Sequence, residues 1–125
     1  MPNIKKISIR EVKFGNNCTI IEPVNLYECE LGDNVFVGPF VEITKGVKIG
    51  NSTRISSHSF VCELVSIGKN CFIGANSLVT KDLSHNKVCI KSDTEIFKLN
   101  SKDFKRYIFK NSGASGVAQN LSKPG

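Results

Sequence analysis

LGDNVFVGPFVEITKGVKIGNSTRISSHSFVCELVSIGKNCFIGANSLVT, residues 31–80, decides the fold of this 125-residue chain. Leu31, Val37, Ile43, Ile49, Ile55, Val61, Ile67, Ile73 and Val79 return at every sixth position without a miss. A helix would need returns at three and four and a strand at two, so neither element alone explains the beat. It is the beat of a solenoid. Gly or a small residue follows each aliphatic (Gly32, Gly38, Thr44, Gly50, Ser56, Cys62, Gly68, Gly74, Thr80). Four places on comes a second series, compact or aliphatic: Val35, Val41, Val47, Thr53, Ser59, Val65, Cys71, Ser77, Leu83. Each six-residue unit reads as a short strand and a turn, and three units close a coil of about 18 residues.

Stacked parallel strands place like positions above one another at about 4.8 Å, so residues eighteen apart should form sensible columns. They do: Leu31/Ile49/Ile67, Val37/Ile55/Ile73 and Ile43/Val61/Val79 point inward, with Val35/Thr53/Cys71 and Val41/Ser59/Ser77 beside them. An outward column, Lys45/Glu63/Lys81, alternates in charge, as neighbouring strands require. Phe36, Phe40, Phe60 and Phe72 fall on outward positions. Exposed aromatics in such number predict a subunit interface.

Outside the regular stretch the beat starts at Phe14-Gly15 and passes Ile20 to Leu26, after which the step to Leu31 is one residue short. A slip inside a strand would turn side chains inside out, so the shortfall belongs in a turn at Tyr27 to Glu30. Ile4, Ile7, Ile9 and Val12 predict a strand capping the first coil. Val88-Cys89-Ile90 reads as a final strand. Ser101 is the expected cap of a short helix through Lys110, with Phe104 and Ile108 on one side. The expected organisation is a single β-helix domain with caps over residues 1–111 and a disordered tail at 112–125.

Bulk properties narrow the function. The formal charge of +6 gathers late, at Lys98, Lys102, Lys105, Arg106, Lys110 and Lys123, without aromatics arrayed for base stacking, so no nucleic-acid partner is expected; the cluster reads as a solvated face or as a patch that meets the phosphates of a cofactor or nucleotide sugar. No apolar run approaches the length of a membrane span and no signal-type segment opens the chain, which predicts a soluble, cytoplasmic protein. The five cysteines, at 18, 29, 62, 71 and 89, include no pair two residues apart, so neither a metal site nor a disulfide framework is expected. Cys18 and Cys71 occupy compact inward positions.

Repeats of this form, aliphatic then Gly then variable residues then a small one, resemble those of the left-handed parallel β-helices, most of which are acyltransferases. The runs Glu22-Pro-Val-Asn-Leu-Tyr-Glu-Cys, Val37-Gly-Pro-Phe-Val-Glu-Ile and Ile55-Ser-Ser-His-Ser-Phe-Val-Cys-Glu look like amino-sugar N-acyltransferases that use nucleotide-linked sugars and acetyl-CoA. The closing Val79-Thr-Lys-Asp is similar to the end of many such chains. The resemblance covers roughly residues 14 to 83. It implies an all-β, left-handed helix of about four coils, a homotrimer with sites between subunits, and a role in bacterial-type surface-glycan precursor synthesis. Resembled chains have a His-Gly, a long loop and further coils after the Phe-Ile-Gly step. Here Ile73-Gly74 leads through Ala75-Asn76 straight to the closing motif, a shortening by at least one coil.

Acyl transfer from a thioester to an amine needs a proton acceptor, donors for the developing oxyanion and a groove for the pantetheine arm. Of the two histidines, His58 stands three residues past an inward Ile, at an outward corner between Phe40 below and Asn76 above. It is the candidate general base; packing at an interface is the competing reading. His85 lies in a polar loop and reads as solvated. Asn76 is the candidate to orient sugar or thioester, or simply a turn asparagine. Glu42 is a candidate substrate contact, with a lysine pair as the alternative. The resemblance runs acetyl-CoA along the last coil, which implies contacts at Ala75, Ser77 and Lys81, the last with Glu63 as its competing partner. Two other functions fit the same residues: a non-catalytic trimeric β-helix that binds a nucleotide sugar or a partner enzyme, and a glycan O-acetyltransferase.

Overall fold

The computed structural model describes residues 1–91 and 94–110. By contacts the chain divides into two compact units, Met1–Ser92 and Asp93–Gly125. The first is a parallel β-solenoid of about four turns, with fourteen short strands in three sheets of five, four and five strands. The first face stacks Ile9–Arg10, Asn25–Tyr27, Glu42–Ile43, Phe60–Val61 and Leu78–Val79. The second stacks Lys13–Phe14, Glu30–Leu31, Lys48–Ile49 and Ser66–Ile67, with Leu83 bridging to Ile67. The third stacks Thr19–Ile20, Phe36–Val37, Arg54–Ile55, Phe72–Ile73 and Val88–Cys89.

The columns read from the sequence are the ladder partners. Leu31 pairs with Ile49, Val37 with Ile55 and Ile43 with Val61. All nine aliphatics of the six-residue series are between 0% and 5% exposed. The second series is buried from Val35 to Ser77, and Leu83 is half-buried. Its polar members bind internally: Thr53 Oγ1 donates to Gly68 O at 2.9 Å and accepts from Cys71 N at 3.1 Å. Ser59 Oγ repeats the motif with Gly74 O and Ser77 N at 3.1 and 3.4 Å. Small hydroxyls therefore sit in the core without an unmet hydrogen bond.

The short step after Leu26 is absorbed in a turn, as expected, with Glu28 at a φ of 50°. Glu11, directly below it, marks a second short step between Ile9 and Phe14, so coils that cross this corner early pair at seventeen residues (Ile9 with Leu26, Leu26 with Ile43). At the far end the same corner narrows again between Val79 and Leu83. Cap expectations hold in part: Ile9 and Val12 pack on the core, yet Ile4 and Ile7 are exposed.

Every regular turn carries one residue of left-handed backbone, three places past the inward aliphatic. Asn34, Asn70 and Asn76 suit it, as does Gly46. Gly50 has a different reason for being glycine. A Cβ there would meet the Gly68 carbonyl carbon and the Lys69 nitrogen at 2.6 Å, so the next coil lies directly against it.

In the second unit the helix spans Ser101–Lys110. Its cap is Asn100 rather than Ser101: Asn100 Oδ1 accepts from Asp103 N at 2.9 Å. Phe97 and Phe104 meet edge to face with centroids 6.0 Å apart. The expected tail at 112–125 lies outside the described residues.

Ile55 is fully buried, so Ile55→Asp brings a charge into a dry interior and is expected to cost several kcal/mol. Thermal melting checks this. A melting temperature within about 2 °C of the parent, less than ~1 kcal/mol would give, contradicts the inward register.

Candidate active site

The three corners of the prism differ in chemistry. At the corner between the second and third faces, side-chain acceptors from one coil cap backbone donors of the coil below. Asp33 Oδ1 accepts from Asn16 N, and Asn51 Oδ1 from Asp33 N, each at 2.8 Å. His85 belongs to this set, because its Nδ1 accepts from Lys69 N at 2.8 Å. It is exposed, but it is a cap with a structural task, which its place in a polar loop did not reveal.

The corner between the third and first faces holds Phe40, His58 and Asn76 in successive coils. Their backbone donors climb the corner, Phe40 N to Pro23 O, His58 N to Pro39 O and Asn76 N to Ser57 O, at 2.7, 3.2 and 2.9 Å. All three are left-handed, with φ of 61°, 62° and 60°. That backbone throws the side chains outward. The rings of Phe40 and His58 stack with centroids 5.0 Å apart and planes at 27°. Asparagine and histidine visit this region readily, whereas a bulky phenylalanine is an outlier there. Phe40 is 55% exposed, and what it holds is the imidazole above it. Among the described residues neither ring nitrogen of His58 has a protein hydrogen bond, so both are open to a ligand.

Flanking this corner, the outward column of the first face runs Asn25, Glu42, Phe60, Leu78. Glu42 Oε2 accepts from Asn25 Nδ2 at 2.9 Å, so its partner is an amide and not the lysine that the sequence offered as an alternative. The third face runs Thr19, Phe36, Arg54, Phe72, Val88 outward. The Arg54 guanidinium lies 4.0 Å over the Phe36 ring, a contact worth about 0.5–1 kcal/mol at an exposed site. The second face is polar instead, with charged Lys13, Glu30 and Lys48 followed by Ser66.

The remaining candidates sit one coil above His58. Ala75 and Asn76 are exposed at the corner. Ser77 is buried, and its hydroxyl donates to Gly74 O at 2.7 Å. With Leu78, Val88, Cys89, Ile90 and Lys91 it lines an open cavity of about 440 Å³. Lys81 is exposed. The pairing expected along Lys45, Glu63 and Lys81 is not made among the described residues, where Arg106 with Asp103 is the ion pair seen. The corner thus brings together His58 and Asn76, with Glu42 one strand away on the adjoining face, while Lys81 lies at the next corner.

Asn25 is the polar residue that sequence reasoning missed. Its signal was present: carrying the first-face column across the short step puts it below Glu42. Cys29 has no part in the chemistry. It is buried, and burial pushes its thiol from 9.0 up to about 11, against a smaller downward pull from a backbone hydrogen bond at Tyr27. Such a thiol stays protonated and unreactive at neutral pH.

Comparison with known proteins follows the same lines. Residues 28–63 match the model of bacterial transferase hexapeptide repeats, and residues 64–80 that of the hexapeptide repeat of succinyl-transferase. Residues 28–80 are thus hexapeptide repeats of the kind found in bacterial acyltransferases, to which the chain is similar. Galactoside O-acetyltransferase of Escherichia coli is 34% identical over 113 residues, 75% of this chain and 54% of that protein. An acyl-[acyl-carrier-protein]–UDP-N-acetylglucosamine O-acyltransferase of Brucella ovis is 32% identical over 71 residues, 55% of this chain and 26% of that protein. A mutant perosamine N-acetyltransferase from Caulobacter crescentus, solved with CoA and GDP-perosamine, shares the fold with a TM-score of 0.50 at 18% identity, over 68% of this chain and 57% of that one. The chain spans about half the length of the galactoside O-acetyltransferases it matches.

Position 58 has left-handed backbone and an exposed side chain, and asparagine tolerates that backbone at least as well as histidine. His58→Asn is therefore expected to melt within about 2 °C of the parent, a shift below ~1 kcal/mol. A loss beyond 5 °C in a thermal melt would show that the imidazole holds the fold.

Proposed function

We propose that this chain is an acyl-CoA-dependent N-acyltransferase that acts, as a cytoplasmic homotrimer, on the amino group of a nucleotide-linked sugar for a surface glycan. The observation that carries the reading is His58: solvent-facing, stacked on Phe40, with both ring nitrogens free of partners among the described residues. In this reading the sugar amine attacks the thioester carbonyl. The C–N bond forms, the C–S bond breaks, and His58 takes the amine proton and returns it to the departing CoA thiolate. Asn76, one coil above, supplies an amide to the acyl oxygen or the sugar, and Glu42 receives the acceptor's polar groups. Acetyl-CoA runs along the last coils, past Ala75 and the cavity that Ser77 lines, with Lys81 available to a phosphate. The hexapeptide repeats, the acetyltransferase relatives and the fold shared with a CoA complex support the donor.

Support for the trimer comes from the surface. Phe40, Phe60, Phe72, Leu78 and Val88 are exposed on both sides of the His58 corner, whereas the second face is polar. Contiguous apolar surface of that kind marks an interface. The described residues include no helix long and apolar enough to cross a membrane.

O-acylation is the second reading, favoured by the names of the two O-acyl relatives. The two differ at His58. A hydroxyl needs a base at any ordinary pH, whereas an amine already in its free-base form is a competent nucleophile.

Steady-state constants for His58→Asn across pH 6 to 9 test the role. A general base predicts turnover lowered by roughly 10² to 10⁴ with little change in acetyl-CoA affinity. An unchanged turnover number with a raised KM would leave His58 as a contact only. Light scattering at micromolar concentration is expected to give three times the 13.7 kDa chain mass. The mass of one chain would contradict the trimer.

A further inference from the structure

The first face carries more than the Glu42 site. At its opening end a cavity of about 450 Å³ is lined by Lys5, Lys6, Ile7, Arg10 and Asn25. Three of these residues are cationic and none is acidic. Among the described residues, none of the three cations pairs with a carboxylate. Arg10 is held in place: its Nη1 donates to Ser8 O and Oγ at 3.3 Å, and its guanidinium lies 5.1 Å over the Tyr27 ring. Those contacts use one end of a fork of five donors and leave the others to a ligand.

Asn25 joins this cavity to the rest of the face. Its Nδ2 donates to Glu42 Oε2, and its Oδ1 is buried without a partner. Reversing the amide would set Oδ1 against the carboxylate, so the observed orientation is the favourable one. The face is therefore polarised along its length, with cations at the opening end, the Glu42 carboxylate next, and apolar Phe60 and Leu78 beyond.

We propose that the basic cavity binds the diphosphate of the nucleotide-linked acceptor, whose sugar then runs along the first face toward Glu42 and the His58 corner. The identity of the acceptor rests on the acyltransferase reading; the anion site itself rests on the cavity. A diphosphate matches clustered Lys and Arg donors, and bonds to charged groups are the strong ones. The hydroxyls of a sugar ring match the Glu42 carboxylate, which leaves the free amine to the imidazole. One molecule with both ends fits this face in a single direction, which sets its amine toward the imidazole. CoA carries the same phosphate chemistry, but in this reading it runs along the last coils, away from the opening coil that holds these cations.

Calorimetric titration of the full chain tests this with inorganic pyrophosphate, UDP, 3′,5′-ADP and acetyl-CoA, against the Lys6→Ala/Arg10→Ala double variant. Both residues are exposed, and a thermal melt verifies that the variant folds. Expected are saturable binding of pyrophosphate and UDP, about tenfold or more weaker in the variant since each charge-assisted bond is worth about 1.5–3 kcal/mol, and acetyl-CoA affinity changed less than about twofold. Affinity for 3′,5′-ADP and acetyl-CoA falling in the variant while UDP affinity holds would assign the cations to the donor and overturn the proposal. So would acetyl-CoA binding without saturable pyrophosphate or UDP binding, which leaves the acyltransferase reading intact. Diphosphate binding lost in the variant, from a chain that ignores acetyl-CoA, would sustain the site and overturn the acyltransferase reading instead.

Discussion

Parallel strands that hydrogen-bond in register keep each residue directly above its counterpart in the coil below, and everything else in this molecule depends on that registration. It makes the interior a set of columns, so an aliphatic at one level demands an aliphatic at the next. It also lets hydroxyls into the core, because Thr53 and Ser59 each find a carbonyl and an amide at fixed positions on neighbouring coils. The spacing is tight enough that Gly50 has backbone where a methyl group would go. Where one corner drops residues, at Glu11, at Glu28 and after Val79, the other two keep their beat and the columns survive.

The same registration gathers the candidate site at one corner. Left-handed turns at Phe40, His58 and Asn76 eject three side chains on a single line, and the stacked pair of rings follows from that geometry. Neighbouring faces then differ in what they offer. The polar second face is content in water, whereas Phe60, Phe72, Leu78 and Val88 leave apolar surface beside His58. A candidate corner flanked by surface that favours burial suits the proposed trimer, in which a second copy would complete a groove.

Much of this was legible in the residues because a six-residue period has few structural meanings. The inward columns, the outward phenylalanines, the turn after Leu26 and the place of His58 between Phe40 and Asn76 all follow from counting by six and eighteen. What escaped counting depended on side-chain direction. Glu42 binds Asn25 instead of a lysine, because the short step brings Asn25 into its column. The Lys45, Glu63, Lys81 column alternates in charge without forming pairs among the described residues; long exposed side chains gain too little from pairing to be held in place. His85 caps a backbone amide across sixteen residues, a contact visible only once the last turn is known to be short. The basic cavity joins the irregular opening segment to the regular first face, and periodicity is silent about the former.

The central claim is that the His58 corner transfers an acyl group from CoA. Titrating the chain with acetyl-CoA in a calorimeter addresses it most directly. The account predicts saturable binding, with one site per chain. An absence of heat up to millimolar acetyl-CoA, from protein shown to be folded and trimeric, would contradict it.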